Sequence, residues 1–229
     1  MKHVLAFDYG ANSGRAILGS FDGNNLQLKE IHRFSNDPVM IGDTLYWDIL
    51  RLYHEMKQGI LKGYQETQGN ISSIGIDTWG VDFGLLDKND VLLTNPIHYR
   101  DARTDLMIEE ALKLVSRNDI YKATGIAFQK FNTLYQLLSM VKSKSTLLEK
   151  AETLLFIPDL LTWFLTGNKA CEFTIASTSQ MLLAGRGTWA YDLLNKLGIP
   201  VQILPEIIDA QALIRFEAPT SSHIFNQDV

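Results

Sequence analysis

Short apolar runs separated by turn residues open the chain. Residues 4–7 and 15–21 predict two strands joined by a glycine-rich turn, and residues 26–31 predict a third strand. After Asp48, apolar side chains recur at three-to-four spacing, which predicts an amphipathic helix of about 17 residues with Asp48 as its N-cap. A further strand is predicted at residues 71–76. The chain therefore begins in the order β-β-β-α-β.

The pattern then changes from strands to helices. Residues 81–86 and 91–93 predict a hairpin across a turn at 88–90. Beyond residue 104 the predicted helices cover residues 106–115, 133–141, 160–165 and 193–197. Strands followed by a helical insertion indicate a mixed α/β domain, and no change of composition marks a linker, so we expect one domain.

The composition is typical of a globular protein, with 46% hydrophobic and 21% charged residues among 229. The net charge of −5, without a basic stripe, argues against nucleic acid as a partner. The single cysteine, Cys171, cannot form an intramolecular disulfide, and neither a signal peptide nor a membrane segment is predicted, so we expect a cytoplasmic protein. The five histidines show no ligand spacing, so we expect no zinc site.

The turn at residues 8–15 has the residue types that bind phosphate. Gly10 and Gly14 allow the backbone to approach a ligand, so that successive N–H groups point at phosphate oxygens. Asp8, at the end of a strand, is a candidate ligand for Mg²⁺ through a water molecule. The turn also supplies three side-chain donors, Asn12, Ser13 and Arg15. An ordinary hairpin turn is the alternative, and the Walker and dinucleotide-binding patterns are both absent.

A second polar cluster, at residues 75–83, suits a carbohydrate. The indole of Trp79 offers a flat apolar face to a sugar ring, and Asp82 is a candidate acceptor for sugar hydroxyls. The structural alternatives are core packing for Trp79 and turn capping for Asp77 and Asp82. Residues 98–104 are also rich in hydrogen-bonding groups, and for these we favour a structural role.

Ordered motifs along most of the chain resemble one family. The segments that carry the resemblance are residues 8–15, 30–34, 46–48, 73–82, 99–103, 131–136, 162–167 and 174–178. Together they look like the rhamnulokinase branch of the FGGY carbohydrate kinases, over residues 1–210. Residues 211–229 do not resemble the family and are predicted to be a tail.

The resemblance implies the first lobe of a two-lobe sugar kinase with an actin-like, ribonuclease H-like ATPase fold and a helical insertion. ATP and Mg²⁺ are then the expected cofactors, and L-rhamnulose the expected substrate, phosphorylated on its 1-hydroxyl. Gly80 is expected to contact the ketose through its backbone. The expected contacts to the ATP phosphates are Ala11, Asn12, Ser13, Gly14 and Arg15. In a complete enzyme, we expect Gly14→Val to abolish nucleotide binding and to leave the fold nearly intact.

The sequence departs from the family in one important respect. The family's proton acceptor is the aspartate of a His-Asp-Thr element, which does not occur in these 229 residues. The second lobe is also missing, so we expect an incomplete, inactive fragment with no catalytic base of its own. The alternatives are a kinase for L-fuculose or another deoxyketose, and a non-catalytic sugar-binding module. A glycosidase that uses Asp77 and Asp82 is disfavoured, because their spacing does not ensure that they face each other.

Overall fold

The structure, a computed structural model, describes residues 1–209, which begin with strands and continue mostly as helices. The strands are β1 (Lys2–Tyr9), β2 (Ser13–Phe21), β3 (Leu26–Ser35), β4 (Val39–Ile41), β5 (Thr44–Tyr46), β6 (Ser73–Thr78), β7 (Phe83–Leu86), β8 (Thr153–Phe156), β9 (Cys171–Glu172) and β10 (Ile207–Ile208). The α-helices are α1 (Ile49–Thr67), α2 (Met107–Leu112), α3 (Arg117–Thr124), α4 (Thr133–Lys142), α5 (Thr146–Lys150), α6 (Ile157–Thr166), α7 (Phe173–Ser177) and α8 (Tyr191–Lys196).

A four-stranded sheet in the order β3-β2-β1-β6 forms the amino-terminal half of the fold. β1 pairs antiparallel with β2 and parallel with β6, and β2 pairs antiparallel with β3. Alternate residues of β1 face the core, and Leu5, Phe7 and Tyr9 are each only 1% exposed. Because the intervening residues face away from this core, the two faces of the sheet are chemically different.

Helix α1 covers the apolar face of this sheet. Asp48 caps its start by accepting a hydrogen bond from the Arg51 amide at 3.1 Å, as the sequence predicted. Leu52 and Met56 face the sheet and are almost fully buried. At Gly59 the helix comes so close that an added Cβ would lie 2.6 Å from the Phe7 ring. Close packing of the helix therefore fixes the position of β1, whose end carries Asp8.

The helical part of the chain forms a second core. Helix α4 is buried along nearly its whole length, and it packs with the β7-β8 pair, α8 and the segments around α7. Within residues 1–209, no helix combines the length and the apolar character needed to span a bilayer.

The three-stranded meander, α1 and the following strand are confirmed, and the predicted hairpin forms, although its second arm is reduced to a single bridge. The turn exists, since the Asp87 amide donates to the Val91 carbonyl and Asp90 has a φ of +60°. Residues 91–93, however, form only an isolated bridge, Leu86 with Leu92. The regular partner of β7 is β8, which the sequence analysis missed. Such a short apolar run directly before a helix cannot be told from helix by periodicity alone.

The expected effect of Gly14→Val on the fold is also contradicted. Gly14 pairs with Phe34 across β2 and β3, and an added Cβ would lie 2.2 Å from Cζ of the Phe34 ring. The Phe34 side chain also contacts Tyr9, with ring centroids 5.4 Å apart. Gly14 is thus required by aromatic packing, and any role in phosphate binding comes in addition to it.

We predict that Gly14→Val destabilises the protein, because the valine cannot fit against Phe34. Overpacking of this kind costs about 1–3 kcal/mol or more, so the melting temperature should fall clearly in a circular dichroism melt. Gly75→Val is the matched control in β6, because an added Cβ there meets nothing within 4 Å. Equal melting temperatures for the two variants would contradict the packing argument.

A buried carboxyl group lies at the start of α6. Asp159 is 8% exposed, its Oδ1 accepts from the Glu172 amide at 3.2 Å, and its Oδ2 has no partner among the described residues. Burial raises the pKa of Asp159 from 3.8 to about 7, against the lowering effect of the Glu172 amide. Since the folded-state pKa is above the unfolded value, the native state binds more protons, and this site loses stability as pH rises from about 4 to about 7.

We predict that Asp159→Asn raises the melting temperature at pH 8 and changes it little at pH 4. The amide keeps the acceptor for Glu172 but cannot ionise, so the variant avoids the cost of a buried charge. Thermal melts of both proteins at several pH values measure this difference. A gap between the two melting temperatures that does not grow with pH would show that Asp159 is not protonated in the folded chain.

Candidate active site

Two loops meet at one edge of the sheet. In the parallel pairing of β1 with β6, Asp8 lies beside Asp77 and Tyr9 beside Thr78, so both strands end at the same level. The turn at 10–13 follows β1, and the loop at 79–82 follows β6. The two segments that the sequence singled out for phosphate and sugar are therefore neighbours in space.

The first loop is a tight turn held in place by Asn36. The Gly10 amide donates to the Ser13 carbonyl at 2.9 Å and closes the turn. Asn36, which follows β3, donates through its side chain to the Gly10 carbonyl and through its amide to the Asn12 carbonyl, at 2.9 and 3.0 Å. The amides of Ala11 and Asn12 find no acceptor among residues 1–209. The turn thus offers free N–H groups on a rigid backbone.

Charged side chains lie beside this turn on the sheet face that α1 does not cover. Arg15 donates from Nε and Nη2 to Oδ2 of Asp8, at 2.8 and 2.7 Å, and both side chains are more than two-fifths exposed. Asp77 is also exposed and lies next to Asp8. The predicted phosphate ligand Arg15 and the predicted magnesium ligand Asp8 are therefore paired with each other in this structure.

The second loop has a strained backbone. Val81 has a φ of +70°, which is unusual for a β-branched residue, and the Asp82 amide donates to the Gly80 carbonyl at 3.0 Å. Such strain persists only where the surroundings impose it. Here Thr178 Oγ1 accepts from the Val81 amide at 3.1 Å, and the Val81 carbonyl accepts from Thr133 Oγ1 at 2.7 Å.

Gly80 is enclosed by the same side chain. An added Cβ at Gly80 would lie 2.9 Å from Oγ1 of Thr178, so no larger residue fits unless Thr178 moves. The backbone of Gly80 is partly exposed beside Trp79. A backbone contact between Gly80 and a ligand stays a prediction, and this close packing is an independent reason for glycine at the position.

Asp82 lies at the centre of the loop and is fully buried. Its Oδ2 accepts from Nε1 of Trp47 at 2.6 Å, from Nε1 of Trp79 at 3.0 Å and from the Tyr99 amide at 3.1 Å. Its Oδ1 accepts from Nε2 of Gln136 at 2.9 Å. Burial raises the pKa of Asp82 to about 6, although these donors favour the ionised form. The geometry therefore favours a positioning role over the direct sugar contact that the sequence suggested.

Aromatic side chains gather around this carboxylate. Trp47 is fully buried and contacts the rings of Trp79 and His98, each with ring centroids 4.0 Å apart. Burial lowers the pKa of His98 to about 4, so this ring is neutral at physiological pH. Trp79 and Tyr99 remain partly exposed, and Phe131 meets the Tyr99 ring edge-on at 5.9 Å. The exposed side of the cluster thus presents aromatic ring surface, the kind that accepts the C–H face of a sugar.

Several site residues were missed by the sequence analysis. They contact the two loops through side chains from distant parts of the chain: Asn36, Trp47, Thr133, Gln136 and Thr178. Some of these residues lay in the segments that carried the family resemblance, but nothing in their local spacing indicated a hydrogen-bonding role. Only the tertiary contacts reveal it.

Comparison with known proteins agrees with this geometry. Residues 3–223 match the FGGY family of carbohydrate kinases, N-terminal domain. A rhamnulokinase from Oceanobacillus iheyensis is 44% identical over 214 residues, which cover 92% of this chain and 44% of that protein. A rhamnulokinase from Halalkalibacterium halodurans is 42% identical over 207 residues, 90% of this chain and 44% of that protein. The chain thus spans less than half the length of these relatives.

Solved structures confirm the predicted actin-like fold. A ligand-bound xylulose kinase from Lactobacillus acidophilus superposes with a TM-score of 0.79 at 22% identity, over 91% of this chain and 42% of that chain. A Plasmodium falciparum glycerol kinase with ADP gives a TM-score of 0.72 at 19% identity, over 90% of this chain and 43% of that chain. The described residues thus form the first lobe of such a fold. The chain belongs to the FGGY family of carbohydrate kinases, and it corresponds to the amino-terminal domain of that family.

Proposed function

We propose that this chain carries the phosphate contacts and the sugar contacts of a kinase that transfers the γ-phosphoryl group of ATP to the 1-hydroxyl of L-rhamnulose. The observation that supports the proposal best is the parallel pairing of β1 with β6, which brings the two loops to one sheet edge. The choice of L-rhamnulose rests on the relatives, which are rhamnulokinases at 39–44% identity. L-fuculose is the nearest alternative substrate.

The turn at 10–13 would hold the phosphates of ATP. Its unpaired amides, Ala11 and Asn12, supply donors, and Ser13 and Arg15 add side-chain donors on the same side of β2. Mg²⁺, when bound, neutralises charge on the phosphates. Asp8 would hold such an ion through Oδ1, which Arg15 does not engage, and the exposed Asp77 beside it on β6 would supply a second oxygen ligand.

The loop at 79–82 would hold the ketose. Trp79 and Tyr99 offer the apolar surface for the sugar ring, and the Gly80 backbone offers polar groups next to it. Asp82 fixes the Trp79 indole by accepting a hydrogen bond from its Nε1, so the aromatic surface is already formed when the sugar binds. Catalysis in phosphoryl transfer relies on positioning and on charge neutralisation, and these two loops would provide part of each.

We further propose that the 229-residue chain binds its ligands but does not catalyse phosphoryl transfer between them. The reaction needs a group that accepts the proton of the attacking hydroxyl, and the family's His-Asp-Thr element does not occur in this sequence. Asp82 cannot substitute, because its carboxylate is enclosed by four donors. A non-catalytic sugar-binding module is the second candidate function, and it shares the same sugar loop.

Calorimetry and a product assay on the chain as it stands test this proposal. We expect L-rhamnulose to bind more tightly than L-fuculose, MgATP to bind, and no sugar phosphate to form. Preference for L-fuculose would support the alternative kinase, and sugar binding without nucleotide binding would support the module. Turnover by the chain would overturn the proposed inactivity, and binding of neither ketose would overturn the proposed function.

We predict that Trp79→Ala weakens ketose binding about tenfold and leaves MgATP affinity unchanged. Loss of a stacking aromatic surface costs about 1.4 kcal/mol, which is about tenfold in affinity, whereas the turn at 10–13 is held by Asn36 and not by Trp79. Trp79→Phe keeps a ring but not the N–H bond to Asp82, so it should lose less affinity. Tyr121→Ala, at a 56% exposed position on α3, is the control. Equal losses for both ligands would instead indicate a core role for Trp79.

A further inference from the structure

Arg103 lies next to the loop at 79–82 and forms no direct ion pair with residues 1–209. The Arg103 side chain donates from Nη2 to Oε1 of Gln136 at 2.6 Å, and this is its one hydrogen bond to residues 1–209. Its Nε is enclosed and has no acceptor, and the guanidinium forms no ion pair within that range. A largely enclosed guanidinium with an unsatisfied donor is costly, and proteins often retain such groups at functional sites.

The nearby carboxylates are already engaged by other donors. Asp101 accepts from the amides of Leu45 and Arg103, at 2.9 and 3.0 Å, and Asp82 accepts from both indoles and Gln136. Burial lowers the pKa of Arg103 to about 10, so the group stays charged at neutral pH. One N–H of Nη2 is bound to Gln136 and the Nε–H is enclosed, so three N–H donors, on Nη1 and Nη2, have no acceptor within residues 1–209.

Gln136 fixes where this guanidinium lies. Its Nε2 donates to the carbonyls of Val81 and Phe131, at 3.2 and 2.9 Å, and to Oδ1 of Asp82 at 2.9 Å. Because three acceptors surround the amide nitrogen, the amide oxygen must face Arg103. One continuous set of hydrogen bonds thus joins Arg103, through Gln136 and Asp82, to the indole of Trp79.

We propose that Arg103 binds two adjacent hydroxyl oxygens of the ketose and thereby selects their configuration. This inference rests on the proposed function of the same loop. The planar fork of a guanidinium matches two acceptors on neighbouring atoms. A neutral polyol fits better than an anionic ligand, because Asp82 and Asp101 already balance the positive charge. A site built to hydrogen-bond a hydroxyl discriminates strongly against a ligand that lacks it or presents it differently.

Arg103→Lys is the variant that tests the inference, with Arg186→Lys as the control at an exposed position outside the site. Lysine keeps the charge and one donor for Gln136 but loses the fork, so the fold should persist, with a melting temperature close to that of the wild type. Calorimetry on each protein measures the affinities for L-rhamnulose and for its C4 epimer, L-fuculose.

We expect Arg103→Lys to lower L-rhamnulose affinity about tenfold and to reduce the preference over L-fuculose to about threefold or less, while the control changes neither. Wild-type affinity and preference in Arg103→Lys would overturn the role of Arg103 and leave the proposed function intact. Failure of the wild-type chain to bind either ketose would overturn the proposed function and this inference with it. A large drop in melting temperature for Arg103→Lys would show that Arg103 is a structural residue.

Discussion

The pairing of β1 with β6 is the constraint on which the rest of the site depends. A parallel pair brings two chain segments far apart in sequence to the same edge, since both strands run in one direction and end together. The alternation of side chains along β1 then separates two tasks. Leu5, Phe7 and Tyr9 bind the strand to α1, whereas Asp8 stays on the opposite face beside Asp77. Ligands of open α/β sheets commonly bind at such carboxyl ends of strands.

The sugar loop depends on a different set of contacts. Val81 is held in an unfavourable backbone conformation by Thr133 and Thr178. The hydrogen-bond donors around Asp82 offset part of the free-energy cost of burying its carboxylate. Each of these interactions is costly alone, because strained backbone and buried charge both oppose folding. Together they define one arrangement of the loop, as a fully satisfied polar network does.

The sequence predicted the sheet meander, α1 and the two loops because each has a local signature. Alternating apolar residues, a capping aspartate before a helical period and glycines between strands are all visible within a few positions. The partner of β7 could not be found in this way, since Thr153–Phe156 lies almost 70 positions away in the sequence. The apolar pattern of this segment is also equally compatible with a helix. Likewise, the packing of Gly14 against Phe34 could not be predicted, because this contact exists only after β3 has folded back.

The two halves of the site are supported by different parts of the fold. The phosphate turn is held by the sheet and by Asn36 at the end of β3, whereas the sugar loop is held by α4 and the residues after α7. Substitutions in the helical part can therefore change the surroundings of Trp79 without moving the turn at 10–13. The solved structures that share this fold are named as xylulose, gluconate and glycerol kinases, so the fold alone does not set the substrate.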